Sequence, residues 1–91
     1  MVRAIASLEV LGMPQAQQIS DVLTKASAIT LHGLNSVGAG RISVVISGAL
    51  ADVEFAVSRA LATGVVLSHQ VTRSPAPGIW VEGLWDNEDW D

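Results

Sequence analysis

The residues able to do chemistry in this sequence are few, and their spacing suits no reaction. Two histidines, His32 and His69, each sit inside a stretch that reads as a strand, and the 91-residue chain has no cysteine. A zinc site takes three or four protein ligands from His, Cys and carboxylates. With no third histidine and no thiolate to complete a set, both histidines read as packing or surface residues. Serines are numerous, but none lies in G-x-S-x-G or beside a plausible base. The acids ahead of residue 82 (Glu9, Asp21, Asp52 and Glu54) are scattered, and none forms the carboxylate pair that general acid–base work uses. Glu9, within a strand, reads as a paired edge charge. One stretch remains, "LNSVGAGRIS" at residues 34–43, where Gly38, Ala39 and Gly40 lie between two strand-like runs. As a phosphate loop it lacks the Lys-Ser/Thr of a P-loop, and it leads into a strand, so no helix N-terminus backs it. The expectation is therefore no catalytic residue, no metal and no cofactor. The loop itself reads as a hairpin connection made of unusually small, apolar residues.

The elements that hold this loop follow from hydrophobic period. In "RAIASLEV", residues 3–10, Ala4, Ala6, Leu8 and Val10 share one face, which predicts a strand with that face buried. Pro14 suits a helix's first turn. From Gln15 to Ala26, Ala16, Ile19, Val22, Leu23 and Ala26 recur at helical spacing. Residues 29–36 predict a second strand, with Ile29, Leu31, Gly33 and Asn35 on one face, followed by a loop over 37–40. The β-branched run "RISVVIS", 41–47, predicts the most buried strand. In "SGALADVEFAVSRALATG", Leu50, Val53, Val57, Ala60 and Leu61 line one helix face, Asp52 and Glu54 load the first turn, and Gly64 suits C′. "VVLSHQVT", 65–72, predicts a fourth strand. The order is β-α-β-β-α-β. That is an α+β, ferredoxin-like arrangement of one four-stranded antiparallel sheet with two helices on one face, followed by an atypical Trp/acidic C-terminal tail. The boundaries are a domain over 1–75 and a tail over 76–91.

Composition narrows the partners. Only 15% of residues are charged, against about 25% in soluble proteins generally. A domain this small has much surface to cover, so surface buried against other chains is expected. Gly, Pro, Ser or a charge interrupts every apolar run before it reaches membrane-spanning length, and Glu9 breaks the N-terminal run, so neither a membrane segment nor a signal peptide is predicted. The net charge of −4 is divided: residues 1–81 hold all five Lys and Arg with four acids, while Glu82, Asp86, Glu88, Asp89 and Asp91 make the tail acidic. No basic face for nucleic acid results. The tail also holds all three tryptophans, Trp80, Trp85 and Trp90. Aromatic rings beside acids suit an anchor with a polar rim, packed on a neighbouring subunit or on the chain's own surface, or docking a partner protein; the remaining alternative is disorder.

Over residues 3 to about 75 the sequence resembles the single-domain shell proteins of bacterial microcompartments, the BMC type. Glu9, Gly12, Lys25-Ala26, Gly33, Gly38, Gly40 and Gly48 carry the resemblance, in order and spacing. It implies a non-enzymatic structural protein, located in a cytoplasmic microcompartment shell. Its subunits would form a flat cyclic homo-hexamer that tiles with other hexamers and other shell proteins into facets, and the docking reading of Trp80, Trp85 and Trp90 then has an encapsulated enzyme or another shell protein as its partner. It implies that Ser36, Val37, Gly38, Ala39 and Gly40 ring a central pore for small polar metabolites, and that Lys25 and Arg73 stand at the hexamer edge. Large side chains would plug six converging loops, and a rim of backbone groups with N–H inward would favour anions. Ser36-Val37-Gly38-Ala39-Gly40 departs from the family's usual Lys-Ile-Gly-Ser-Gly, losing a charge and a hydroxyl; Ala28 replaces a common edge asparagine, and the second helix is shorter. Two rivals are an oligomeric small-molecule-binding sensor with a ferredoxin-like fold and a small acylphosphatase-like enzyme. The latter wants an arginine in an N-terminal phosphate-cradling loop, which "ASLEVLGMPQ" does not offer.

Overall fold

A computed structural model of the chain describes residues 2–26 and 28–74. In chain order the elements are β1 (Arg3–Leu11), α1 (Met13–Ala26), β2 (Thr30–Gly38), β3 (Arg41–Ala49), α2 (Leu50–Leu61) and β4 (Ser68–Ser74). The four strands make one sheet in the order β2-β3-β1-β4, with every adjacent pair antiparallel. Each helix therefore joins two parallel strands that hold a third between them, the split β-α-β unit of the ferredoxin-like fold.

Alternation along β1 and β3 places Ala4, Ala6, Leu8 and Val10 beside Val44 and Ile46 on one sheet face. That face packs on Ala16, Ile19 and Leu23 of α1 and on Val53, Ala56, Val57 and Ala60 of α2 to form the core. Both helices lie on this face. β3, hydrogen-bonded on both edges, is the most buried strand, as its β-branched run predicts. Among the described residues no helix is long and apolar enough to cross a membrane.

Four local readings change. The sequence ends β2 at residue 36; the strand runs on to Gly38, because two register shifts, between Leu31 and Gly33 and between Ser36 and Gly38, absorb extra residues. The first shift leaves His32 as the bulged residue and re-phases the strand, so Leu31 and Leu34, not Leu31 and Gly33, face the core. In α2, Ala56 takes the buried position expected for Leu61, which is exposed, and the helix ends at Leu61 with Ala62 as its C-cap, so Gly64 adopts its left-handed φ one residue later than C′. The apolar pair Val65-Val66 precedes β4 instead of starting it, and reaches the core from the connection.

Leu8 is fully buried at the centre of β1. Leu8→Ala removes methyl groups from a site walled by two helices and two strands. It should lower the unfolding free energy by about 2–5 kcal/mol, read as a shift of the urea midpoint at fixed protein concentration.

Candidate functional site

The short loop expected between β2 and β3 is tighter than the sequence suggests. Gly38 pairs with Arg41, leaving Ala39 and Gly40 as a two-residue turn. Both take left-handed backbone, Ala39 at φ 56° and Gly40 at φ 77°, the pattern of the type I′ hairpin turn. Gly38 before them has φ 96°. A Cβ on Gly38 would meet nothing within 4 Å, and one on Gly40 would only reach ordinary contact with Leu11 Cδ1 at 3.6 Å. Backbone conformation, not crowding, demands glycine at these two positions. The turn is anchored: the Gly12 N–H donates to the Gly40 carbonyl at 2.9 Å, tying the hairpin tip to the β1–α1 junction.

Ser36, Val37, Gly38, Ala39 and Gly40 are all solvent-exposed and contiguous at this tip. Exposed Leu11, Met13, Val37 and Leu67 lie at the same end of the sheet. The tip also carries an ion pair that sequence reasoning did not assign. Arg41 Nη1 donates to Glu9 Oε1 at 3.0 Å, diagonally across the β1–β3 pair. Glu9 is thus a paired charge as expected, but on an interior strand instead of an edge. The signal lay in the β1–β3 register, which opposes Glu9 to Ser43 and Leu11 to Arg41.

Lys25 and Arg73 stand at the other end. Lys25 occupies the last turn of α1, just before β2 begins, and Arg73 pairs with Ala4 at the start of β1. Strand length separates this end from the turn by roughly 25 Å. Both side chains are exposed. Lys25 Nζ lies 3.3 Å from Asp21 Oδ2 one helical turn back, a pair of the kind worth only about 0.3–0.5 kcal/mol. Trp80, Trp85 and Trp90 lie outside the described residues.

His69 is exposed on β4. His32 Nε2 is 2.7 Å from the Oγ of buried Ser47. Burial lowers the His32 pKa, and the nearby Arg3 charge lowers it further. Among the described residues no group of three or more His, Asp or Glu is placed to hold a metal.

A domain of this fold, with a glycine-rich hairpin tip at one end and exposed cations at the other, defines a class, and comparison with known proteins names it. The BMC domain profile matches residues 4–75. The chain belongs to the BMC domain family. It is 35% identical over 78 residues to the carboxysome shell protein CcmK2 of Synechococcus elongatus, covering 79% of this chain and 76% of that one. To the carboxysome shell protein CcmK1 of Synechocystis it is 31% identical, with 79% and 70% covered. It is 35% identical over 88 residues to the microcompartment shell protein PduK of Citrobacter freundii, covering 87% of this chain but 54% of PduK. Among solved structures, a microcompartment protein of Desulfitobacterium hafniense superposes with a TM-score of 0.69 at 25% identity, over 77% of this chain and 40% of that one.

Two outcomes follow from the turn and from His32. Ala39→Gly relieves a left-handed non-glycine residue and should raise stability by up to about 1 kcal/mol, whereas Gly40→Val should lower it by about 1–2 kcal/mol, both read from urea midpoints. For His32, a folded-state pKa below the unfolded value means the unfolded chain takes the proton first. Stability is then full above about pH 6.5 and falls as pH drops through the lowered folded pKa. Urea titrations from about pH 7 to 5 should show this decline, with a shallower slope in His32→Gln.

Proposed function

We propose that this chain is a structural, non-enzymatic shell subunit of a bacterial microcompartment. Six copies form a ring with their β2–β3 tips at the axis, and rings meet edge to edge through Lys25 and Arg73. The relatives named above are shell proteins, and this reading carries their role to the present chain. The observation that carries it is the division of the molecule: an exposed tip of small residues at one end of the sheet, exposed cations at the other. Leu11, Met13, Val37 and Leu67 around the tip are apolar surface that a single copy leaves in water, and converging tips bury it.

In such a ring Ser36, Val37, Gly38, Ala39 and Gly40 line a narrow channel. Its surface is mostly backbone, with the Ser36 hydroxyl as the one polar side chain among the five. Such a rim suits small polar metabolites and discourages bulky apolar ones. Shell proteins of other kinds are partners at the same edges, and the assembly is cytoplasmic. Residues 1–75 make the shell domain and 76–91 a separate tail.

Light scattering on the purified chain should give the mass of six copies, and concentrated samples should form sheets or tubes by negative-stain electron microscopy. A stable monomer overturns the reading, as does saturable binding of a small molecule without higher assembly, which is the behaviour of a sensor. Lys25→Ala should leave the six-copy mass intact and abolish the sheets. Sheets unchanged in this variant remove Lys25 from the edge.

A further inference from the structure

The end of the sheet that carries the hairpin tip holds two charges of opposite sign, and they cancel. Between β1 and β3 the first three pairs behind the turn are Leu11–Arg41, Val10–Ile42 and Glu9–Ser43. The residues paired with these on β2 and β4 are all uncharged. Arg41 and Glu9 are thus the only charged residues in these rows, and they meet: Arg41 Nη1 donates to Glu9 Oε1 at 3.0 Å. The Arg41 side chain is 45% exposed and that of Glu9 33%, so the guanidinium is the more outward member of the pair.

An exposed ion pair adds little to the stability of one copy, so stability does not explain the carboxylate. Its effect on the surroundings is larger. Arg41 follows Gly40 directly. At about 3.4 Å per strand residue, its backbone lies well inside the roughly 8 Å over which a charge acts at physiological salt. In a ring with its tips at the axis, unpaired arginines at that depth would face one another around one opening. They would repel across it and concentrate anions within it. A carboxylate 3.0 Å from each guanidinium cancels that field. The residues from Ser36 to Gly40 add no charge of their own.

We propose that Glu9 sets the selectivity of the axial opening: by neutralising Arg41 it leaves a rim without net charge, which admits small uncharged polar solutes in preference to ions of either sign. An ion entering a narrow passage gives up water, and a rim without net charge returns little for that loss. A small uncharged polar molecule gives up less and meets backbone groups and the Ser36 hydroxyl. The inference rests on the ring proposed above, and it narrows the small polar solutes of that reading to the uncharged ones.

The chain has no cysteine, so Ser36→Cys takes a single pyrene label at the rim. Assembly with excess unlabelled chain leaves one label per ring, and light scattering gives the mass of the same sample. Quenching by acrylamide (uncharged), iodide and thallium(I), each relative to the free dye, reads the local preference. With Glu9 and Arg41 intact, acrylamide should quench best and the two ions should quench to the same lesser extent. Glu9→Gln should raise iodide quenching several-fold over thallium(I), Arg41→Gln should do the reverse, and the double variant should restore equality. Rings that close poorly in a single variant and normally in the double variant show the same cancellation through assembly. A several-fold preference for either ion with both residues intact overturns the proposal. So do ions that quench as well as acrylamide, a Glu9→Gln ring with unchanged ion quenching, and a double variant that is itself ion-selective. A chain that stays monomeric removes the ring beneath the proposal, whereas rings of the expected mass with unequal ion quenching overturn this inference alone.

Discussion

β3 is hydrogen-bonded along its length to β1 on one side and to β2 on the other, and the rest of the molecule takes its position from that double pairing. Every residue from Arg41 to Ala49 has a partner on β1. A slip of one residue would turn Val44 and Ile46 away from the helices and Ser43, Val45 and Ser47 into them. The fully buried contact of Val44 and Ile46 with both helices makes such a slip costly. With register locked, the Glu9–Arg41 pair, the position of the hairpin tip and the row containing Ile5 and Ser47 follow without further choice.

The tip shows how local conformation and assembly can ask for the same residues for different reasons. Gly38 and Gly40 adopt left-handed backbone with open space or ordinary contact around them, so the fold of one copy already requires glycine there. Lack of side chains at this loop is therefore not by itself a sign of a pore. The apolar exposure of Leu11, Met13, Val37 and Leu67 carries more weight, since a single chain gains nothing from leaving four large apolar side chains in water at one end. Among the described residues Ala39 is the one non-glycine residue with a left-handed φ, which costs about 1 kcal/mol relative to glycine. A methyl group retained at that cost at the outermost point of the hairpin is consistent with a contact made beyond the subunit.

Most of the fold is legible from period alone. Ala16, Ile19 and Leu23, and again Val53, Val57 and Ala60, mark helix faces; Ala4, Ala6, Leu8 and Val10 mark a strand face. These patterns are local, and burial on one side enforces them. What escapes depends on the partner strand. The bulge at His32 reverses the facing of β2 from Gly33 to Ser36, until the second shift restores it, and nothing within "TLHGLNSVG" announces it, because the extra residue is defined only against Val45 and Ile46. The length of the turn is hidden likewise, since Val37 and Gly38 look like loop until Arg41 is seen to pair with Gly38. Val65-Val66 looks like the start of a strand because an apolar pair filling a core from a connection has the same composition as one filling it from a sheet. Of the site, the tip and both cations were readable as positions, while the Glu9–Arg41 pair needed a register between strands far apart in sequence.

The sparse charge of the domain takes on meaning once its ends are distinguished. At the tip, Arg41 is matched by Glu9 across the sheet, so that end meets its surroundings nearly neutral and largely apolar. At the far end Lys25 pairs, among the described residues, with Asp21, both side chains mostly in water. An ion pair of that kind is so weak that exchanging Asp21 for an acceptor on a neighbouring molecule costs almost nothing. A lysine in this position can thus be bound and released reversibly, whereas apolar contacts around the tip release only when their whole area returns to water. In the proposed ring, that asymmetry would make the contacts around the tip the more persistent ones, and contacts through Lys25 the weaker ones, sensitive to salt.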